Sequence, residues 1–156
     1  MSLHLRYWES PVGWLQLEGT DTHLTRLTRI SQPASLPSSS HPLLERAVEQ
    51  LQDYFAGTRQ QFDLPLQLAG TPFQQQVWEA LQHIPYGKTW SYAELAAYIG
   101  NPRACRAVGS ANGKNPIAIL VPCHRVIGSN GRLTGYACGL SLKQFLLDLE
   151  ASHRTK

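Results

Sequence analysis

The sequence is poor in the residues that staple a secreted or metal-bound fold. It has only three cysteines in 156 residues, Cys105, Cys123 and Cys138, an odd number without a C-x-x-C pair. That excludes a disulfide framework and a cysteine-rich zinc site, and it fits a reducing, intracellular compartment. No apolar run approaches the roughly 20 residues of a membrane span. The opening MSLHLRYWESPVGW lacks the basic-then-apolar order of a signal peptide. The expectation is a cytoplasmic protein with no membrane partner. Acidic residues are scarce in one half only. Residues 1–70 hold five Lys/Arg against seven Asp/Glu, a net of −2, whereas residues 71–156 hold nine against four, a net of +5. An anionic partner for the second half follows from that asymmetry.

What is present divides at the same place. LHLRYW, WLQLEG and HLTRLTRI alternate apolar and polar residues and predict strands, with SPVG as a turn. SQPASLPSSSHP reads as a loop. LLERAVEQLQDYFAG then puts Leu44, Val48, Leu51 and Phe55 on one helical face and stops at Gly57, and TRQQFDLPLQLAG reads as a short strand or an extended crossover. From Thr71 the pattern turns helical. Thr71–Pro72 open TPFQQQVWEALQHIPYG, with Gly87 near its exit. Ser91 and Glu94 have capping-box spacing in SYAELAAYIG. Asn101–Pro102 start PRACRAVGSANG directly after Gly100, which predicts a helix-turn-helix with a second helix over 102–112. PIAILV reads as a buried strand delivering PCHRV, and the closing SLKQFLLDLE predicts a helix buried along Leu142, Phe145, Leu146 and Leu149. Two subdomains, 1–70 and 71–156, are expected.

One of the scarce cysteines sits in an unusual setting, VPCHRVIGSNGRLTGY. A free thiol with a pKa near 8.5 is mostly protonated at neutral pH, and cationic neighbours or a histidine correct that. His124 and Arg125 follow Cys123 directly. In an extended segment adjacent side chains point to opposite faces, so His124 is expected to reach the sulfur through a water or a backbone turn. A carboxylate that orients the imidazole would complete a Cys-His-acid arrangement, and Glu150 is one of few candidates in this half. The plainer readings are a buried cysteine acting as a small hydrophobe, a histidine capping a carbonyl and a solvated end-of-helix acid. Tyr92 and Tyr136 equally suit packing, Arg106 a solvated face and Asn115 the turn before Pro116.

Taken together, TPFQQQVWEALQHIPYGKTWSYAELA, RACRAVGSANGKNPIAILVPCHRVIG, GRLTGY and the final GL-x-x-K-x-x-LL-x-x-E resemble the O6-alkylguanine-DNA alkyltransferases. About half the chain carries the likeness, and residues 1–70 match loosely. The resemblance implies an α/β fold: a ribonuclease-H-like N-terminal α/β subdomain, then a helical, winged-helix-like helix-turn-helix subdomain that binds the minor groove of double-stranded DNA. It implies that Cys123 accepts the alkyl group once, irreversibly, from O6-alkylguanine and from O4-alkylthymine. His124 and Glu150 would be its water-linked relay, and Asn115 the brace of the turn. Tyr92 would rotate the nucleotide and protonate the departing guanine. Arg106 would fill the gap in the stack. DNA contacts are expected from Ser91, Ala107, Gly109, Asn112 and Arg125 as well. Val126, Tyr136, Ala137 and Cys138 would line the pocket, supported by Lys143.

No metal or cofactor is expected, and the chain is expected to act as a monomer. Ala137–Cys138 departs from the family's usual small residue and glycine, which would narrow the pocket mouth. The rival readings are a damage-sensing binder without transfer activity, a Cys-His-Glu hydrolase and a plain winged-helix protein. Cys123 itself argues against the first.

Overall fold

A computed structural model describes residues 3–33, 41–128 and 139–153. The chain divides into two compact units, Met1–Leu68 and Ala69–Lys156.

In the first unit the alternating segments form a meander, β1 (His4–Ser10), β2 (Gly13–Gly19) and β3 (Leu24–Ile30), paired antiparallel in the order β1-β2-β3. The register sets Tyr7 opposite Gln16 and Leu17 opposite Leu27. Tyr7, Leu15, Leu17, Leu24 and Leu27 are buried. They share the core with helix α1 (Pro42–Phe55), which buries Leu43, Leu44, Ala47, Val48, Leu51 and Tyr54. α1 starts where His41 Nδ1 accepts from the Leu43 amide and Pro42 occupies the first turn. It ends before Gly57, whose φ of 81° suits a residue without Cβ. The crossover that follows is extended, not a strand. One parallel bridge joins Leu66 to Leu24, and the Gln50 amide accepts from and donates to the Asp63 backbone.

The second unit holds helices α2 (Pro72–Leu81), α3 (Tyr92–Tyr98), α4 (Cys105–Gly113) and α5 (Leu140–His153), with a two-residue parallel pair, β4 (Trp90–Ser91) and β5 (Val126–Ile127). Capping boxes open α2 at Thr71/Gln74 and α3 at Ser91/Glu94. The Trp78 indole donates to the Ala111 carbonyl at 2.8 Å and ties α2 to α4.

Four sequence expectations give way here. α2 stops at Leu81, because the chain turns through His83 and Ile84 toward Gly87, where φ is 76°. α4 begins at Cys105, later than Pro102: residues 102 and 103 form a turn closed by Ala104 N donating to Asn101 O. PIAILV is buried from Ile117 onward but is no strand. In α5 the buried face is Leu142, Lys143, Leu146 and Glu150, while Phe145 is exposed. Two polar residues therefore replace two of the apolar ones on that face, and both point at the site described next.

Candidate active site

Two tight turns of opposite hand deliver Cys123. Ile119 has φ 71°, and Leu120 N donates to Ala118 O at 2.8 Å, the bond that closes a γ-turn. A β-branched residue in this region is strained by about 1–3 kcal/mol. Its full burial and the bond from Val121 N to Ile117 O hold it there. Pro122, at φ −81° and ψ 62°, makes the inverse γ-turn, closed by Cys123 N donating to Val121 O. The backbone then winds into a 3-10 turn, Cys123–Arg125, before β5. The backbone thus turns at His124, but the turn does not bring its ring to the sulfur: Nδ1 has no hydrogen-bond partner.

Asn115 braces this path from one side chain. Its Nδ2 donates to Val121 O at 2.8 Å and to Cys123 Sγ at 3.1 Å, and its Oδ1 accepts from Ile117 N at 3.0 Å. A donor aimed at sulfur favours the thiolate over the thiol. Cys123 itself is buried, with 3% of its surface exposed.

His124 is fully buried, and its Nε2 lies 2.7 Å from Glu150 Oε2. Burial pushes its pKa down, and the hydrogen bond and charge of Glu150 oppose that. The imidazole is thus neutral at pH 7, with its proton on Nε2. Glu150 carries further partners: Arg125 Nε donates to Oε1 at 2.8 Å, Arg125 Nη2 to Oε2 at 3.0 Å and the Gly87 amide to Oε1 at 3.3 Å. Burial alone raises a carboxyl pKa, but the bonds and charges of His124 and Arg125 outweigh it and hold Glu150 well below the usual carboxylate range. Arg125 also donates from Nη1 to Ile84 O and lies over the Tyr86 ring. Lys143 is buried and donates to Val126 O. Desolvation pushes its pKa down to about 8, and the Cys123 charge works the other way. A cation near the sulfur favours the thiolate in return.

The structure therefore brings together Cys123, His124, Glu150, Asn115 and Lys143. Tyr92 opens α3, half-buried, and packs against Gly109 of α4: a methyl built on Gly109 would lie 3.7 Å from its ring. Arg106 and Ala107 are exposed on α4, and the Ser91 hydroxyl caps α3. Two residues expected at the DNA surface are interior instead. Arg125 is 7% exposed and spends its guanidinium on Glu150 and Ile84; Asn112 is 1% exposed and donates to Cys123 O at 3.3 Å. Val126 is fully buried in β5. Tyr136, Ala137 and Cys138 lie outside the described residues. The Gly87 amide and the Ile84 carbonyl escaped the sequence reading, as backbone groups do.

Among the described residues, His4, Asp21 and His41 in the first unit form a group whose ligand atoms lie within 4.8 Å of one another. The fit to a metal is poor. His41 Nδ1 accepts from Leu43 N, which leaves the proton on Nε2, the atom facing Asp21.

Two family models match consecutive parts of the chain. The ribonuclease-like domain of 6-O-methylguanine DNA methyltransferase covers residues 3–68, and the DNA-binding domain of the same name covers residues 72–152. The chain belongs to the 6-O-methylguanine DNA methyltransferase family. One relative in it, the methylated-DNA–protein-cysteine methyltransferase of Mycolicibacterium paratuberculosis, is 54% identical over 93% of this chain and 90% of its own. The Mycobacterium tuberculosis O6-methylguanine methyltransferase structure superposes with a TM-score of 0.89 at 49% identity, covering 99% of this chain and 96% of that one. A Mycobacterium tuberculosis OGT solved in complex with DNA gives 0.88 at 52% identity, covering 96% and 94%. Both parts of this methyltransferase fold, the small sheet unit and the helical unit, are thus accounted for along nearly the whole chain. Among its described residues no helix is long and apolar enough to cross a membrane.

Proposed function

We propose that the protein repairs alkylated DNA by direct reversal, transferring the alkyl group of O6-alkylguanine, and of O4-alkylthymine, to Cys123. One observation carries this reading: a buried thiol that receives an amide N–H, beside a neutral histidine on an ionised, doubly paired carboxylate. That constellation favours a thiolate nucleophile at Cys123.

The chemistry follows from the groups present. The O6 edge of guanine is inside the base pair, so sulfur meets it only if the nucleotide is flipped out. Flipping costs a few kcal/mol, and a side chain that fills the gap offsets part of that. Arg106, exposed on α4, is assigned that task, with Ser91, Ala107 and Gly109 beside it against the minor groove. His124 takes the Cys123 proton through water and becomes an imidazolium balanced by Glu150. The thiolate attacks the alkyl carbon, a C–S bond forms as the C–O bond breaks, and the electron pair leaves on guanine. Tyr92 gives that base a proton, and solvent returns the proton held by His124 to the phenolate. The product thioether is not cleaved by water, so each molecule acts once, as a monomer and without a cofactor.

The test is intact mass after incubation with a duplex containing one O6-methylguanine, followed by peptide mapping. One methyl on Cys123, never more than one per protein, is expected. Tight binding to the lesion duplex with no added mass would replace this reading with damage sensing.

A further inference from the structure

Beside the Cys123 turn stand two acceptors with no donor. Asn112, in the last turn of α4, gives its amide N–H to Cys123 O at 3.3 Å. A carbonyl only accepts, so the amide nitrogen has to face it and Oδ1 faces away. That Oδ1 is buried and has no hydrogen-bond partner. His124 gives Nε2–H to the Glu150 carboxylate, which leaves Nδ1 a bare acceptor, also buried and also without a partner. Buried polar atoms are nearly always paired, and neither residue carries a second group that could serve the other. An acceptor cannot bond an acceptor. Each needs a donor small enough for a closed interior, and one water, with two O–H groups, can serve both.

We propose that Asn112 is a positioning residue for the reaction at Cys123: its Oδ1 and His124 Nδ1 each take one O–H of a single buried water, which turns the water's lone pairs toward the thiol. As the thiol proton passes to the water oxygen, the O–H on the His124 side gives its proton to Nδ1, and the bond to Asn112 stays in place throughout. The water is restored and does not rotate. Asn112 thereby holds both ends of the step, the backbone of the nucleophile through Nδ2 and the relay through Oδ1. This is distinct from Asn115, which touches the sulfur itself. The inference takes its purpose from the reading of Cys123 as alkyl acceptor, but its test does not need that reading.

The experiment measures the rate at which iodoacetamide modifies Cys123 across pH in the full-length protein, in Asn112→Ala, in His124→Ala and in the double variant. Peptide mapping separates Cys123 from Cys105 and Cys138. The charged and titratable groups around the turn, Arg125, Lys143, Glu150 and Tyr86, are kept in every variant. Asn112→Ala is expected to slow modification at neutral pH by about three- to tenfold, the worth of one neutral hydrogen bond. The rates should converge in alkali, where thiolate forms unaided, and the double variant should be no slower than His124→Ala. An unshifted profile in Asn112→Ala, a loss uniform across pH, or an effect that adds to that of His124→Ala would each overturn the proposal. If Asn112→Ala does not fold, a high-resolution structure of the parent decides. A water within hydrogen-bond reach of Oδ1, Nδ1 and Sγ supports it, and its absence or its contact with only one of them overturns it. Because no DNA enters the assay, a parent that takes no methyl from lesion DNA refutes the functional reading and leaves this result standing.

Discussion

Glu150 and His124 are both held, by burial and by each other, in the protonation states of neutral pH, and acid should undo them in two stages. The folded His124 has its pKa pushed below the ordinary 6.5, so below about that pH the unfolded chain takes up a proton that the folded one refuses. Stability rises with pH wherever the unfolded state binds more protons, so it falls as pH drops from there. Glu150 has the same sign: its folded pKa lies below the ordinary 4.5, its contribution is complete above that value, and it is lost as pH falls further. Urea unfolding followed by tryptophan fluorescence from pH 7.5 to 4 should show a decline beginning near pH 6.5 and steepening below 4.5. Glu150→Gln should remove the steeper part. It should also cost about 3–5 kcal/mol at pH 7, because it leaves the Arg125 charge buried without its partner. Stability that is flat from pH 7 to 4 contradicts the protonation states assigned. At this scale the sequence named the thiol, the histidine and the carboxylate, since residue type and spacing announce chemistry. The family resemblance put Arg125 and Asn112 on the DNA surface, and only the contacts of Glu150 and Cys123 O show that these two turn inward.

At the scale of elements, helices with explicit end signals were legible and turns built from apolar residues were not. Thr71/Gln74 and Ser91/Glu94 cap where their spacing says they should. PIAILV carries no turn residue after Pro116, so periodicity cannot tell it from a strand. Its γ-turn at Ile119, and the one that follows at Pro122, are held by the side-chain bonds of Asn115 and by the burial of Ile119. α4 offers a separable test of packing against function. Gly109 is inside a helix, and a methyl there meets only the Tyr92 ring at an ordinary 3.7 Å. Gly in a helix interior costs roughly 0.5–1 kcal/mol relative to Ala. Gly109→Ala should therefore raise stability by about that amount in denaturant melts. If the α4 backbone lies against DNA, the same variant should weaken binding to lesion duplex severalfold in fluorescence anisotropy. Unchanged binding with raised stability would remove Gly109 from the DNA surface.

Over the whole molecule, charge is what separates the two halves, and salt is the way to read it. The net of +5 in residues 71–156 contrasts with −2 in residues 1–70, so duplex binding should reside in the second half and weaken steeply as salt rises. Two exposed arginines at the start of α4 should divide the work. Arg103 lies in the turn before the helix and Arg106 in its first turn, and both are exposed. A lysine or arginine that neutralises one phosphate contributes about 0.9 to the slope of log affinity against log salt on B-form DNA. Arg103→Ala should lower that slope by about this amount, weaken lesion and undamaged duplex alike, and leave the single-turnover methyl-transfer rate at saturating DNA unchanged. Arg106→Ala should behave differently. If its side chain fills the gap left by a flipped nucleotide, its loss lowers the population of the reactive state, and transfer should slow by roughly tenfold or more even at saturation. Equal effects of the two substitutions on transfer would mean that neither enters the stack and that α4 meets DNA through its phosphates alone.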